Sequence, residues 1–65
     1  MSIRERRNAI LEFIACEPVT IRHVAIEFDI SYEIAASDIK YLEIVNSVEI
    51  YSADENGRVF QAVNL

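Results

Sequence analysis

Residues 20–46 decide the fold. They read Thr20-Ile21-Arg22-His23-Val24-Ala25-Ile26-Glu27-Phe28, then Asp29-Ile30, then Ser31-Tyr32-Glu33-Ile34-Ala35-Ala36-Ser37-Asp38-Ile39-Lys40-Tyr41-Leu42-Glu43-Ile44-Val45-Asn46. Ile21, Val24, Ala25 and Phe28 recur at i, i+3, i+4 and i+7, which is the spacing of one helical face. Thr20 stands just before them, where a hydroxyl can accept from the N–H groups that a first turn leaves unbonded. Ser31 stands in the same relation to a second stripe of Ala35, Ile39 and Leu42, which Val45 continues. Asp29 and Ile30 leave room only for a tight turn. Asn46 sits where the second stripe should stop, and asparagine tolerates the left-handed conformation that closes many helices. Two short helices joined by a turn of three to four residues form a helix-turn-helix.

Toward the N-terminus, Ser2 and Glu5 have the S-x-x-E spacing of a capping box. Ile3, Ile10, Phe13 and Ile14 follow at helical spacing, with Leu11 beside them. Pro18 cannot continue this helix and biases Glu17 away from α geometry, so the helix should end near Cys16. Toward the C-terminus the apolar period changes to two from Val48 onward. Asn56-Gly57 is a strong signal for a two-residue hairpin turn. That turn would place Glu55 opposite Arg58, Ile50 opposite Val63 and Val48 opposite Leu65. Tyr51, Phe60 and Ala62 would then share the other face. The expected architecture is mainly α with a small β-hairpin, a three-helix winged helix-turn-helix. It would form one domain over residues 1–65, with helices about 2–16, 20–28 and 31–45 and a wing about 48–64.

A chain of 65 residues buries a small core, and such chains usually gain support from disulfides, metal or association. A single cysteine and a single histidine give neither an internal disulfide nor a zinc site. Association remains, and 52% hydrophobic residues leaves apolar surface to drive it. No apolar run is long enough to span a membrane, and the start Met1-Ser2-Ile3-Arg4-Glu5-Arg6-Arg7 lacks the apolar stretch of a signal peptide. The expectation is a cytoplasmic protein without cofactor or metal. No recognisable nucleophile or metal motif points to an enzyme. Cys16 reads as a small buried residue, and His23 as a surface or capping one.

The net charge of −5 is unevenly spread: residues 1–22 sum to +1 and residues 23–65 to −6. Nucleic-acid binders are usually basic or carry a basic stripe. Here the cations are few and dispersed.

The stretch from Ile10 to Val48 resembles the winged helix-turn-helix of DeoR-type bacterial repressors, and more loosely the small fimbrial phase-variation regulators. The matching residues are Ile10-Leu11, Val19-Thr20, Val24-Ala25, Phe28, Ile30-Ser31, Asp38-Ile39-Lys40 and Leu42-Glu43. The family commonly has glycine where Asp29 and Asn46 stand. It commonly shows basic residues where this chain has Ala36 and Ser37. The resemblance implies DNA binding with the third helix as the reading helix.

On that footing the DNA-contacting candidates are Arg22, Tyr32, Ala36, Ser37, Lys40 and Arg58. Arg22 opens the second helix, where N–H groups and the helix dipole favour a phosphate. Lys40 can reach a base edge, Ser37 and Tyr32 can hydrogen-bond, and Ala36 suits a thymine methyl. Arg58 follows the wing tip, where it can meet either a phosphate or Glu55. Arg4, Arg6 and Arg7 lie where a helix dipole disfavours cations, so they read either as a solvated helix end with Glu5 among them or as a contact with phosphate or an acidic partner. Tyr41, Ile44, Tyr51 and Phe60 are candidates for self-association, most simply as a symmetric homodimer.

Two functions stay open. One is a small DNA-binding transcriptional regulator acting as a dimer on duplex DNA. The other is an acidic winged-helix module that binds or inhibits a host or regulatory protein, as a small phage or plasmid protein would, without binding DNA.

Overall fold

The computed structural model describes residues 1–55 and 57–63. The elements run α1 (Ile3–Cys16), β1 (Val19–Thr20), α2 (Ile21–Phe28), α3 (Tyr32–Ile44), β2 (Val48–Asp54) and β3 (Gly57–Ala62). This is the three-helix winged helix-turn-helix architecture, with a three-stranded antiparallel sheet in the order β1-β3-β2.

The helix boundaries follow from local chemistry. At Ser2 the capping box closes from both sides: Glu5 N–H donates to Ser2 Oγ at 3.1 Å, and Ser2 N–H donates to Glu5 Oε1 at 3.2 Å. Thr20 Oγ1 accepts from His23 N–H, and Ser31 Oγ from Ile34 N–H, each at 3.1 Å. The two helices of the helix-turn-helix end in the same way. Asp29 (φ 53°) and Asn46 (φ 62°) both take the left-handed conformation. Ile30 N–H then reaches back to Ala25 C=O at 3.0 Å, and Ser47 N–H to Leu42 C=O at 2.8 Å. These bonds satisfy carbonyls that a helix end otherwise leaves open.

The core gathers Ile10 and Ile14 of α1, Val19 of β1, and Ile21, Val24 and Ala25 of α2. Ala35, Ile39 and Leu42 of α3 join them, with Val48 and Phe60 from the wing. Phe13 meets His23 and Phe28 edge-on, with ring centroids 5.2 and 5.7 Å away, and so fixes α1 against α2. Ile3 and Val45, at the outer ends of their expected stripes, are exposed instead. Cys16 is also exposed, contrary to the expectation of burial. It ends α1 just before Pro18 turns the chain, and its thiol lies 3.5 Å from Glu12 C=O.

The sheet corrects the expected wing in two ways. First, Val19 and Thr20 form a short strand pairing with Phe60 and Val59, so β3 is the central strand. Second, the hairpin register differs. Gly57 faces Asp54, Arg58 faces Ala53 and Val59 faces Ser52; after a bulge at Tyr51, Phe60 faces Ile50 and Ala62 faces Val48. The expected pairs Ile50–Val63, Val48–Leu65 and Glu55–Arg58 are therefore replaced. Asn56, Asn64 and Leu65 lie outside the described residues, so the Asn56-Gly57 turn is described only from Gly57, whose φ is +116°.

The new register turns Phe60 into the core, where it is 1% exposed. The self-association role expected of Phe60 is overturned. The physical reason is the period of two along a strand: an odd shift moves every side chain to the opposite face. Burying a phenylalanine contributes roughly 2–3 kcal/mol, so the register that seals Phe60 against the helices is favoured. The extra residue at Tyr51 absorbs the mismatch as a bulge and leaves Tyr51 outside, 60% exposed.

Candidate nucleic-acid interface

α3 presents three surfaces. Ala35, Asp38, Ile39 and Leu42 are buried. Glu33, Ser37, Lys40 and Ile44 follow at i, i+4, i+7 and i+11 along the outermost stripe and are exposed. On one side of that stripe α3 faces the wing; on the other it faces α1.

On the wing side, a depression of about 220 Å³ lies among Ile21, Ala36, Ile39, Lys40, Glu43, Arg58 and Phe60. A second, of about 260 Å³, lies among Thr20, Ile21, Arg22, Tyr32, Asp54, Gly57 and Arg58. The two share Ile21 and Arg58, so they form one continuous surface. It brings together five of the six residues that the sequence suggested for DNA contact: Arg22, Tyr32, Ala36, Lys40 and Arg58. The sixth, Ser37, is exposed on the neighbouring outer stripe. Ala36 is half-buried against the core, so its methyl forms part of the floor. The Arg58 guanidinium stands over the Phe60 ring, 5.6 Å from its centroid. Glu43 and Asp54 border the same surface, so its three cations are interleaved with carboxylates.

The N-terminal arginines do something the sequence reading missed. Arg6 Nε and Nη2 donate to Asp38 Oδ2 and Oδ1 at 2.5 and 3.0 Å, and Arg7 Nε donates to Oδ1 at 3.0 Å. Asp38 is fully buried, and both arginine side chains are about one-fifth exposed. Burial pushes the Asp38 carboxyl up, but the hydrogen bonds and charges of Arg6 and Arg7 outweigh it and hold it below the ordinary carboxylate value. The Arg7 guanidinium also stacks on Tyr41, 4.1 Å from the ring centroid. Arg6 and Arg7 are thus tied to α3 rather than presented to a phosphate. The signal was legible: Asp38 is an acid within the apolar stripe Ala35, Ile39, Leu42, and a buried charge requires a partner.

This pairing also changes the charge that α3 shows outward. The helix carries Glu33, Asp38 and Glu43 against Lys40, but Asp38 is turned inward and compensated.

The four residues suggested for self-association do not share a face. Phe60 is core. Tyr41 turns toward α1 beneath Arg7, Ile44 lies on the outer stripe of α3 at 70% exposure, and Tyr51 sits on the bulge of β2. Among the described residues, no helix is long and apolar enough to cross a membrane. Comparison with protein-family models, with curated proteins and with solved structures finds no match.

Proposed function

We propose that this chain is a small DNA-binding transcriptional regulator that inserts α3 into the major groove and lays the wing along the backbone. The carrying observation is the continuous surface between α3 and the wing that gathers Arg22, Lys40 and Arg58 with Tyr32 and Ala36. Arg22 stands in the first turn of α2, where a phosphate is favoured. Lys40 is the cation on the reading helix, and Ser37 and Ala36 supply a hydroxyl and a methyl for base edges. With so few cations one copy binds weakly, so we propose that two copies act as a dimer on adjacent half-sites about one helical turn apart.

The test is binding to random duplex DNA across a salt series. Binding at low salt should weaken with a negative log–log slope. Arg22→Ala and Arg58→Ala should each reduce that slope by about 0.9 for the phosphate contact removed. Sedimentation with and without a duplex carrying two half-sites reads the dimer. Absence of binding at about 20 mM salt, where counterion release favours association most, overturns the proposal.

A second reading is favoured by exposed Glu33 on α3 and by Glu43 and Asp54, which border the surface between α3 and the wing. A surface of this mixed sign suits a basic protein segment, whose own charges would find these carboxylates. A chain that ignores duplex DNA yet binds a basic protein segment, and binds it less tightly as Glu43→Gln, would follow this reading.

A further inference from the structure

The flank of α3 that faces α1 carries a different chemistry, and its use does not depend on DNA binding. A depression of about 380 Å³ opens between the two helices, lined by Ile3, Arg4, Arg7, Leu11, Tyr41 and Val45 among others. It continues through Leu11, Val45 and Ser47 into a second depression of about 340 Å³ that ends at Ala15 and the last wing residues described. None of the described residues lining either depression is acidic, although the chain holds 11 acids and a net charge of −5.

From these observations we propose that the α1–α3 groove binds an acidic amphipathic helix of a partner protein. The sign of the groove is set by two arginines. Arg4 is exposed at its mouth. Arg7 is held in place by Asp38 and Tyr41 with about one-fifth of its side chain exposed, so little side-chain freedom remains to be lost on binding. The floor is apolar, and Ile3, Tyr41 and Val45 remain exposed beside it. From Ile3 to Ala15 the groove follows α1 for about 18 Å, at 1.5 Å per residue, which matches a helix of about 12 residues. A helix laid in such a groove seats apolar anchors at i, i+3, i+4 and i+7 and turns its carboxylates to the arginines.

A second copy fits this groove less well. A two-fold contact sets the same patch against itself, and with no acid among the described lining residues that patch offers Arg4 and Arg7 no carboxylate. The local sign thus selects a partner of the same overall charge as the chain itself, which net charge alone would rule against.

Fluorescence anisotropy with three labelled 12-residue helical peptides tests the proposal. One carries leucines at the anchor positions and glutamates elsewhere; the second replaces glutamate by lysine, and the third replaces leucine by serine. The Glu/Leu peptide should bind the full chain saturably and more weakly as salt rises, and both altered peptides should lose at least tenfold in affinity. Arg4→Glu should reduce Glu/Leu binding at least tenfold. This variant should fold, because Arg4 is exposed and an acid suits the first turn of a helix. Val45→Ser, exposed where the two depressions meet, should weaken it several-fold by a route that leaves charge unchanged. Failure of the Glu/Leu peptide to saturate, equal binding of the Lys/Leu peptide, or indifference to Arg4→Glu overturns the proposal. So does a concentration-dependent dimer that Arg4→Glu breaks, which would assign the groove to a second copy.

Discussion

The two flanks of α3 use one helix to present opposite kinds of surface. On the wing flank Arg22, Lys40 and Arg58 stand among Glu43 and Asp54, over a floor that rests on Phe60. On the α1 flank Arg4 and Arg7 stand without an acid among the described lining residues, over Leu11 and Val45. Net charge averages these into −5 and conceals both. What separates them is Asp38: buried between the flanks, it draws Arg6 and Arg7 onto the α1 side and leaves the wing side with the cations of α2, α3 and β3. The sign of a surface in this chain is decided by where one buried carboxylate sits, more than by composition.

The largest way to break the comparison is to remove the support of the wing flank. Phe60→Ala should destabilise the chain by about 3–5 kcal/mol, because a fully buried phenylalanine leaves a cavity on the central strand. A chain of this length has total stability of roughly 3–10 kcal/mol, so the loss is about a third of it or more and should be read directly as a lowered unfolding free energy in urea. Tyr51→Ala, on the exposed bulge of the neighbouring strand, should shift the urea midpoint by less than about 0.5 kcal/mol. If the two substitutions proved equally mild, Phe60 would not be core and the expected wing register would stand.

Removing the support of the α1 flank is next in size. Asp38→Ala leaves two partly buried guanidinium groups without their acceptor and should cost about 3 kcal/mol, with Asp38→Asn close behind. Loss of Arg6 alone should cost less, since Arg7 still neutralises the carboxylate. The pair also leaves a signature in pH. The folded chain holds the Asp38 carboxyl below its ordinary value, while the unfolded chain returns it to about 3.9. The unfolded state therefore binds the extra proton first. The stabilisation is complete above that value and is lost as pH falls from it toward the lower folded value. Urea titrations between about pH 5 and pH 2.5 should show a stability slope in the native chain that is shallower in Asp38→Asn. An unchanged slope would show that Asp38 is not ionised in the fold.

How much of this was legible depended on the range of the interactions. The caps at Ser2, Thr20 and Ser31 and the left-handed residues Asp29 and Asn46 are fixed by atoms within five residues, and the sequence displays them directly. The wing register was not legible, because it is set by Phe60 meeting helices far away in sequence and by a bulge that no local pattern announces. β1 was equally hidden, since two residues are too few to show alternation. Among the candidates for DNA contact, Arg22, Tyr32, Ala36 and Lys40 came out as neighbours because their helix positions place them, and Arg58 joins them from β3. The roles of Arg6 and Arg7 did not, because their partner lies 31 or 32 residues away.

A smaller effect than either of these losses of support probes the turn that delivers Arg58 to the wing flank. Gly57 has φ +116°, a conformation that side chains other than glycine's rarely adopt, yet a Cβ added there would meet nothing within 4 Å. The cost of Gly57→Ala is therefore backbone strain alone, about 1–2 kcal/mol, without a steric contribution. A urea midpoint lowered by the stated amount, together with unchanged peptide binding at the α1 groove, would show that the wing is strained at its tip while the other flank is built independently of it. Loss of both at once would instead mean that the two flanks of α3 are coupled through the core that Phe60 joins to Ile39.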